Sequence, residues 1–300
     1  MALLTAQGIA NVVIPLIKRK LTLVRTVTMV PAAGFTGPNG ETISVRVRQP
    51  RASRTQTAKG DAITYDDQNE VSVEVTLSHL YDAYHVSDED LSLELEDFAS
   101  QITEPQVTSV ATGAEDELGT AMNDLTADAT IEFGATADAD DTVATILAAR
   151  QFLSEADAPA DDRWFAVSPS IATRVLSVPQ FVRVNESGQA SALRDAVIGR
   201  LYGFTFVESN GLDTETAVAY HRSGFCFASK KPADPRGAKE SFAISQDGIN
   251  IRQIFQYDPD VLSDASVLST FGGASAVFED ADDSVPADNS RFIKIGVGST

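Results

Sequence analysis

The 300-residue sequence predicts an α+β chain in which strands and helices are segregated along the length, and three observations carry that expectation. Residues 42–77 alternate, with Ile43, Val45 and Val47 and then Val71, Val73, Val75 and Leu77 at every second position. Residues 105–125 switch to helical spacing, placing Val107, Val110, Ala114, Leu118, Ala121, Met122 and Leu125 on one stripe. Residues 163–212 then read as a small α/β unit, an apolar run at 164–167 passing through Ser168-Pro169 into a short helix and on to a second strand.

Taken in order, residues 1–40 show no sustained period and are broken by Pro31, Gly34, Gly37, Pro38 and Gly40. They read as an arm that buries little against its own chain and is ordered by a partner. The strand at 42–48 is stopped by Pro50, residues 49–60 are basic and polar, and a strand resumes at 62–65. The result is a long hairpin with a charged tip and no core of its own. The alternation from Val71 runs on past Leu80 to Val86, changing character near His79. Asp88, Glu89 and Asp90 then suit a helix start, followed by Leu91, Leu95, Phe98 and Ile102 at helical spacing. Pro105 opens a helix that, at about 1.5 Å per residue, runs roughly 30 Å to Leu125. Its exposed face is expected to be acidic at Glu115, Asp116 and Glu117.

Residues 128–141 form an Ala/Asp/Thr linker, and Asp140 or Asp141 is expected to cap a helix over 142–155. Ser168 caps the next helix, in which Ile171, Val175 and Leu176 share a face, and Pro179 ends it. A polar loop at 185–188 leads to a strand at 201–207, punctuated by Gly199 and Gly203 and closed by the turn Ser209-Asn210-Gly211. Further strands are expected at 217–228, within 242–257 and at 292–297.

Charge is distributed unevenly within a net −20. Residues 1–60 hold nine Lys/Arg and one Asp/Glu, whereas residues 61–162 hold one and twenty-six. Acidic surface serves solvation, and a basic arm and hairpin also suit the acidic surface of a neighbouring copy. The acidic balance disfavours strong nucleic-acid binding. No apolar run approaches the ~18 residues of a membrane span. The cluster Lys18-Arg19-Lys20 follows the apolar stretch at 12–17, the reverse of a secretory leader, so the chain is expected to stay in the cytoplasm where it is made. A single cysteine, Cys226, excludes an internal disulfide and reads as a buried, inert thiol.

The sequence offers no convergent chemistry. Asp138, Asp140 and Asp141 lack the glycine and terminal glutamate of a calcium loop, and His79, His85 and His221 have no metal-ligand spacing. Ser168 stands outside a Gly-x-Ser-x-Gly turn, and Gly199, Gly203 and Gly211 flank a strand instead of joining a strand to a helix. No catalytic residue, cofactor or metal is expected.

The order of segments does resemble a known family. The basic hairpin from Arg46 to Lys59, the helix headed by Pro105, Ser168-Pro169 and the run Ile198-Gly-Arg-Leu-Tyr-Gly-Phe204 carry the likeness. So does the return segment from Gly248 to Tyr257. Together they resemble the major capsid proteins of tailed bacteriophages with the Hong Kong 97-type fold, over nearly the whole chain. The resemblance implies an N-terminal arm at 1–40, an E-loop hairpin at 41–68 and a peripheral domain with a long spine helix at 69–135. An axial α/β domain at 136–230, a return to the peripheral domain at 231–280 and a C-terminal segment at 281–300 complete it.

The implied function is structural and non-enzymatic: pentamers and hexamers closing into an icosahedral virion shell around double-stranded DNA, assembled in the cytoplasm of a bacterial host. Implied partners are other copies of the chain, a separate scaffolding protein, a portal and a decoration protein. DNA is enclosed without specific binding, and no membrane is involved. The expected contacts between subunits are Arg46, Arg48, Arg51, Arg54 and Lys59 of one hairpin on Glu115, Asp116 and Glu117 of a neighbour, with Phe181, Arg183 and Arg194 in the axial loop. Some relatives join subunits by an isopeptide bond from a hairpin lysine; Lys59 is the one lysine in this hairpin, but no asparagine or glutamate pairs with it from sequence, so an ionic role is expected. An encapsulin-like nanocompartment shell and, as a different class, a soluble α/β enzyme are the alternative readings.

Overall fold

The computed structural model describes residues 21–30, 42–48, 55, 56, 62, 65, 70–87, 99–128, 130–136, 138–179, 197–235, 240–246, 248–278 and 291–298. Its strands are β1 (Thr28–Val30), β2 (Thr42–Arg48), β3 (Glu70–Thr76), β4 (Ser78–Ser87), β5 (Arg163–Val167), β6 (Val197–Leu201), β7 (Phe204–Glu208), β8 (Ala217–His221), β9 (Phe225–Lys230), β10 (Glu240–Gln246), β11 (Ile249–Asp258), β12 (Ser263–Ala276) and β13 (Phe292–Ile295). The α-helices are α1 (Glu104–Asn123), α2 (Ala139–Glu155) and α3 (Pro169–Leu176). Two sheets and one separate two-stranded ribbon result.

The larger sheet runs β1-β9-β12-β11-β10, with β4 also on β12. Strand β12 is its organiser because it is 14 residues long. One edge pairs antiparallel with β4 from Ser263 to Gly272, and the other pairs with β11 as far as Ser269 and then with β9 from Phe271. Helix α1 lies across this sheet and buries Val107, Val110, Ala111, Ala114, Leu118 and Met122, residues three or four apart as a single helical face requires. A turn of π-helix, Ala99–Thr103, precedes it, and Pro105 stands in its first turn, where no backbone N–H is needed.

The smaller sheet, β13-β8-β5-β7-β6, is buried on both faces. Phe165, Val167, Phe204, Phe206, Ala217, Ala219, Ile293 and Ile295 face α2 and α3. The alternate residues Ala166, Val207, Val218, Tyr220 and Phe292 enter the core that α1 shares with the larger sheet. That is why its strands read as continuous apolar runs instead of alternating. The rings of Phe165 and Phe206 stack with centroids 4.9 Å apart, and Phe204 meets Phe165 edge-on at 5.4 Å.

Several expectations are corrected. The strand expected at 201–207 is a hairpin: Tyr202 (φ 50°) and Gly203 (φ 90°) both take the left-handed backbone of a tight two-residue turn between β6 and β7. The strand expected at 217–228 breaks into β8 and β9, which belong to different sheets. The strand that returns along β2 is β3, from Thr42 opposite Thr76 to Arg48 opposite Glu70. Helix α2 starts at Ala139 with Asp138 in the extended capping position, so neither Asp140 nor Asp141 is the cap. Asp141 instead accepts from the Gly134 N–H at 2.7 Å. Ser168 holds the capping position of α3, yet its hydroxyl meets Ser170 Oγ at 3.0 Å and no helical N–H. The expected helix at 91–98 lies outside the described residues.

The arm is corrected as well. Leu21, Leu23, Val24 and Val27 are buried in the core with α1, and β1 extends the larger sheet by parallel pairing with β9. Their uneven spacing suits the short 3-10 turn Val24–Thr26, which no helical or strand period reveals.

The smaller sheet is tied to the C-terminal end of α1. Asn123 Nδ2 donates to the Gly211 carbonyl at 3.0 Å, its Oδ1 accepts from the Asp213 N–H at 3.0 Å, and Lys294 Nζ donates to the Asn123 carbonyl at 2.6 Å. Gly119 permits this approach, since a Cβ there would overlap the Gly211 carbonyl. Helix propensity alone favours alanine over glycine by about 1 kcal/mol, whereas forced overlap with fixed backbone costs about 1–3 kcal/mol. Gly119→Ala is therefore expected to lower stability in urea unfolding, and Thr120→Ala, one residue on at an exposed position, to leave it within about 0.5 kcal/mol.

Candidate functional site

The expected contact residues fall on three places. Arg46 is an exposed residue of β2 with a contact of its own, and Arg48 ends that strand in register with Glu70. In the ribbon's register Arg46 stands opposite Ser72, Arg48 opposite Glu70 and Ser44 opposite Glu74. One face of the ribbon is apolar. Val73 and Val75 are buried against Cys226, Ala228 and Val277, with Val30, Ile43, Val45 and Leu77 packed around them. This small cluster anchors the ribbon, and Cys226 is part of it as the sequence suggested, its thiol pushed up to about 11 by burial. Arg51, Arg54, Lys59, Phe181, Arg183 and Arg194 lie outside the described residues.

On α1, Asp116 is exposed and Glu117 half-buried, but Glu115 is buried. It does not contribute to an exposed acidic face. Glu115 lies four residues after Ala111 and three before Leu118, on the inward side, a placement the helical period already contains. Its carboxylate holds the root of the arm. Oε1 accepts from the Thr22 N–H at 2.6 Å and the Val24 N–H at 3.3 Å, and Oε2 accepts from the Leu23 N–H at 2.9 Å and the Thr22 hydroxyl at 3.4 Å. These are the free N–H groups at the head of the Val24–Thr26 turn, where an anion is favoured.

The polar chain continues inward. Thr26 Oγ1 donates to the Leu23 carbonyl at 2.6 Å and meets the Tyr220 hydroxyl of the smaller sheet. Burial holds the Glu115 carboxyl above its ordinary range despite the backbone donors that pull it down. Tyr220 is raised chiefly by burial, with Thr26 opposing and the Glu115 charge adding. One carboxylate thus joins three parts of the molecule: the arm root, α1 and, through Thr26, the smaller sheet. Among the described residues no cluster of His, Cys, Asp and Glu could hold a metal ion, and no helix is long and apolar enough to cross a membrane.

Comparison with known proteins bears on this architecture. Residues 101–241, which contain α1 and the whole smaller sheet except β13, match the family model described as phage capsid protein. No curated protein matches the sequence. Among solved structures, the capsid of the cyanophage P-SCSP1u is similar over 94% of this chain and 90% of its own, with a TM-score of 0.63 at 12% identity. A structure from Mycobacterium phage Che8 is similar over 86% of this chain and 85% of its own, with a TM-score of 0.55 at 20% identity. A virus-like particle from Pyrococcus furiosus is similar over 96% and 98%, with a TM-score of 0.55 at 9% identity.

Two sheets sharing one long helix, with a separate two-stranded ribbon, are thus the Hong Kong 97-type capsid fold. Within that class, residues 101–241 carry the similarity to the phage capsid protein family model.

The Glu115 carboxyl has a definite pH signature. Its folded value lies above the ordinary 4.5, so the native state holds the proton more tightly than the unfolded chain. That contribution is fully present below 4.5 and is lost as pH rises through the raised folded value. Wild-type stability should therefore gain on Glu115→Gln as pH falls from neutral toward 4.5, measured by urea unfolding of both proteins. Glu115→Ala, which leaves buried N–H groups unmet, should cost about 1–3 kcal/mol at any pH in that range.

Proposed function

We propose that the chain assembles through pentamers and hexamers into a closed icosahedral shell around double-stranded DNA, without enzymatic activity, in the cytoplasm of a bacterial host. The observation that carries the reading is the ribbon. Strands β2 and β3 pair only with each other among the described residues, and a two-stranded ribbon is marginal in water unless something covers it. A neighbouring copy is the natural cover, because each subunit then both donates a ribbon and receives one. Such head-to-tail contacts close into rings when the rotation permits. Interfaces that complete folding in this way bury roughly 2,000 Å² or more.

In this reading the segments act as arm (1–40), hairpin (41–68), peripheral (69–135 and 231–280), axial (136–230) and C-terminal (281–300) units. The hairpin tip residues Arg51, Arg54 and Lys59 supply the charge that meets Asp116 and Glu117 of the neighbour, with Arg46 and Arg48 shared with their own ribbon. Phe181, Arg183 and Arg194 line the ring axis. Exposed ion pairs contribute only ~0–1 kcal/mol each, so they set register while apolar contact supplies most of the energy. A separate scaffolding protein, a portal and a decoration protein complete the assembly. The acidic balance of the chain suits a wall that DNA slides past instead of gripping. The Pyrococcus furiosus virus-like particle is similar in fold, and the match of residues 101–241 to the phage capsid protein model favours a phage genome.

Negative-stain microscopy and light scattering on the purified chain, alone and with a scaffold candidate, test the reading. Closed shells tens of nanometres across are expected, and a monomer or small oligomer under every condition would overturn it. Reversing Arg51 and Arg54 to glutamate should lower shell yield while circular dichroism and thermal unfolding of the subunit stay unchanged; a normal yield would remove the electrostatic part of the proposal.

A further inference from the structure

The chain leaves the smaller sheet at β8 and enters the larger one at β9 through the single 3-10 turn Arg222–Gly224. Four other segments meet on that turn. Arg222 N–H donates to the Asp162 carbonyl at 3.1 Å and its Nε to the Val27 carbonyl at 3.4 Å. Thr28 Oγ1 donates to the Arg222 carbonyl at 3.1 Å, and Val277 N–H to the Gly224 carbonyl at 2.9 Å. Gly224 itself leaves no space for a Cβ, which would press on the Arg291 carbonyl. Whatever holds this turn holds the joint between the two sheets.

His221 caps it. Its Nδ1 lies 3.2 Å from the Ser223 backbone nitrogen and 2.8 Å from Ser223 Oγ. A backbone N–H can only donate, so Nδ1 must accept, which fixes the neutral imidazole with its proton on Nε2. Arg291 Nη1 donates to Ser223 Oγ at 2.7 Å, leaving the hydroxyl proton free to point at Nδ1. A proton on Nδ1 would remove the acceptor for both donors at once.

The surroundings oppose that proton. Burial is the largest influence against the imidazolium, and Arg291, together with Arg163 across the β5-β8 register, adds like charge. Asp161 and Asp162, on the loop leading into β5, favour it but do not prevail. The folded value lies below the ordinary 6.5, so the stability that His221 contributes is present above 6.5 and is lost as pH falls through the folded value. The other two histidines stand elsewhere on β4: His79 packs on the ring of Phe271, and His85 meets Ser263.

We propose that His221 is an acid-sensitive latch on the turn joining the two sheets: neutral, it holds their relative placement, and protonated, it releases the turn and lets the sheets move about it. The proposal rests on the joint alone and does not depend on the assembly the subunit forms.

The test is hydrogen exchange read by mass spectrometry on the purified chain, in whatever assembly state it adopts, at about pH 7.5 and in steps down to about pH 4, with intrinsic rates corrected. The comparison is wild type against His221→Asn, whose Oδ1 can stand in for Nδ1 as acceptor and does not titrate. Losing the bond from the Ser223 N–H, the one contact that cannot reverse its direction, should cut protection in peptides covering residues 217–230 by roughly fivefold or more at the lower pH in wild type. The variant should show no such loss. An equal loss in both proteins, or none in wild type, overturns the proposal. Nitrogen-15 histidine NMR of the wild type at neutral pH adds a reading that needs no variant: His221 should carry its proton on Nε2, and a proton on Nδ1 would refute the latch.

Discussion

A carboxylate can be buried only where donors meet it, and the subunit depends on one place where this condition is satisfied. Glu115 reaches inward from α1 to three consecutive backbone N–H groups of the arm root. The arm root then becomes part of the core, with Leu21, Leu23, Val24 and Val27 packed on the same helix that carries the carboxylate. Without that acceptor, burying those N–H groups would be costly. A short segment with little regular structure is thereby integrated into the body, and β1 can add to the edge of the larger sheet.

Helix α1 is the common wall of the molecule. One long apolar face covers the larger sheet, and at its C-terminal end the smaller sheet comes close enough that Gly119 and Gly211 meet backbone to backbone. Asn123 then uses both ends of its amide on the same loop, and Lys294 meets the carbonyl end of the helix, where positive charge is favoured. Contacts of this kind fix a relative placement more tightly than interdigitated side chains, because backbone positions cannot repack. Besides their shared core, the two sheets are therefore fixed at the end of α1 and at the covalent crossing at Arg222–Gly224.

The same economy explains why the ribbon stands apart. Its inner valines meet a small cluster around Cys226, Ala228 and Val277.

Much of this was legible in the sequence, because local periodicity is set by which faces are buried. The stripe from Val107 to Met122 and the alternation of 42–48 reflect one-sided packing, the apolar run at 164–167 reflects a strand buried on both faces, and each element stands where its pattern placed it. The order of those segments was enough to point to the capsid fold. What sequence could not decide were the features that depend on which surfaces meet. The split of 201–207 into a hairpin, the transfer of the chain between sheets at Arg222–Gly224 and the return strand at Glu70 are pairing choices, and pairing is a long-range property. Glu115 is the sharpest case: charge alone assigns it to solvent, and only the arm root folded against α1 supplies the donors that let it go inside.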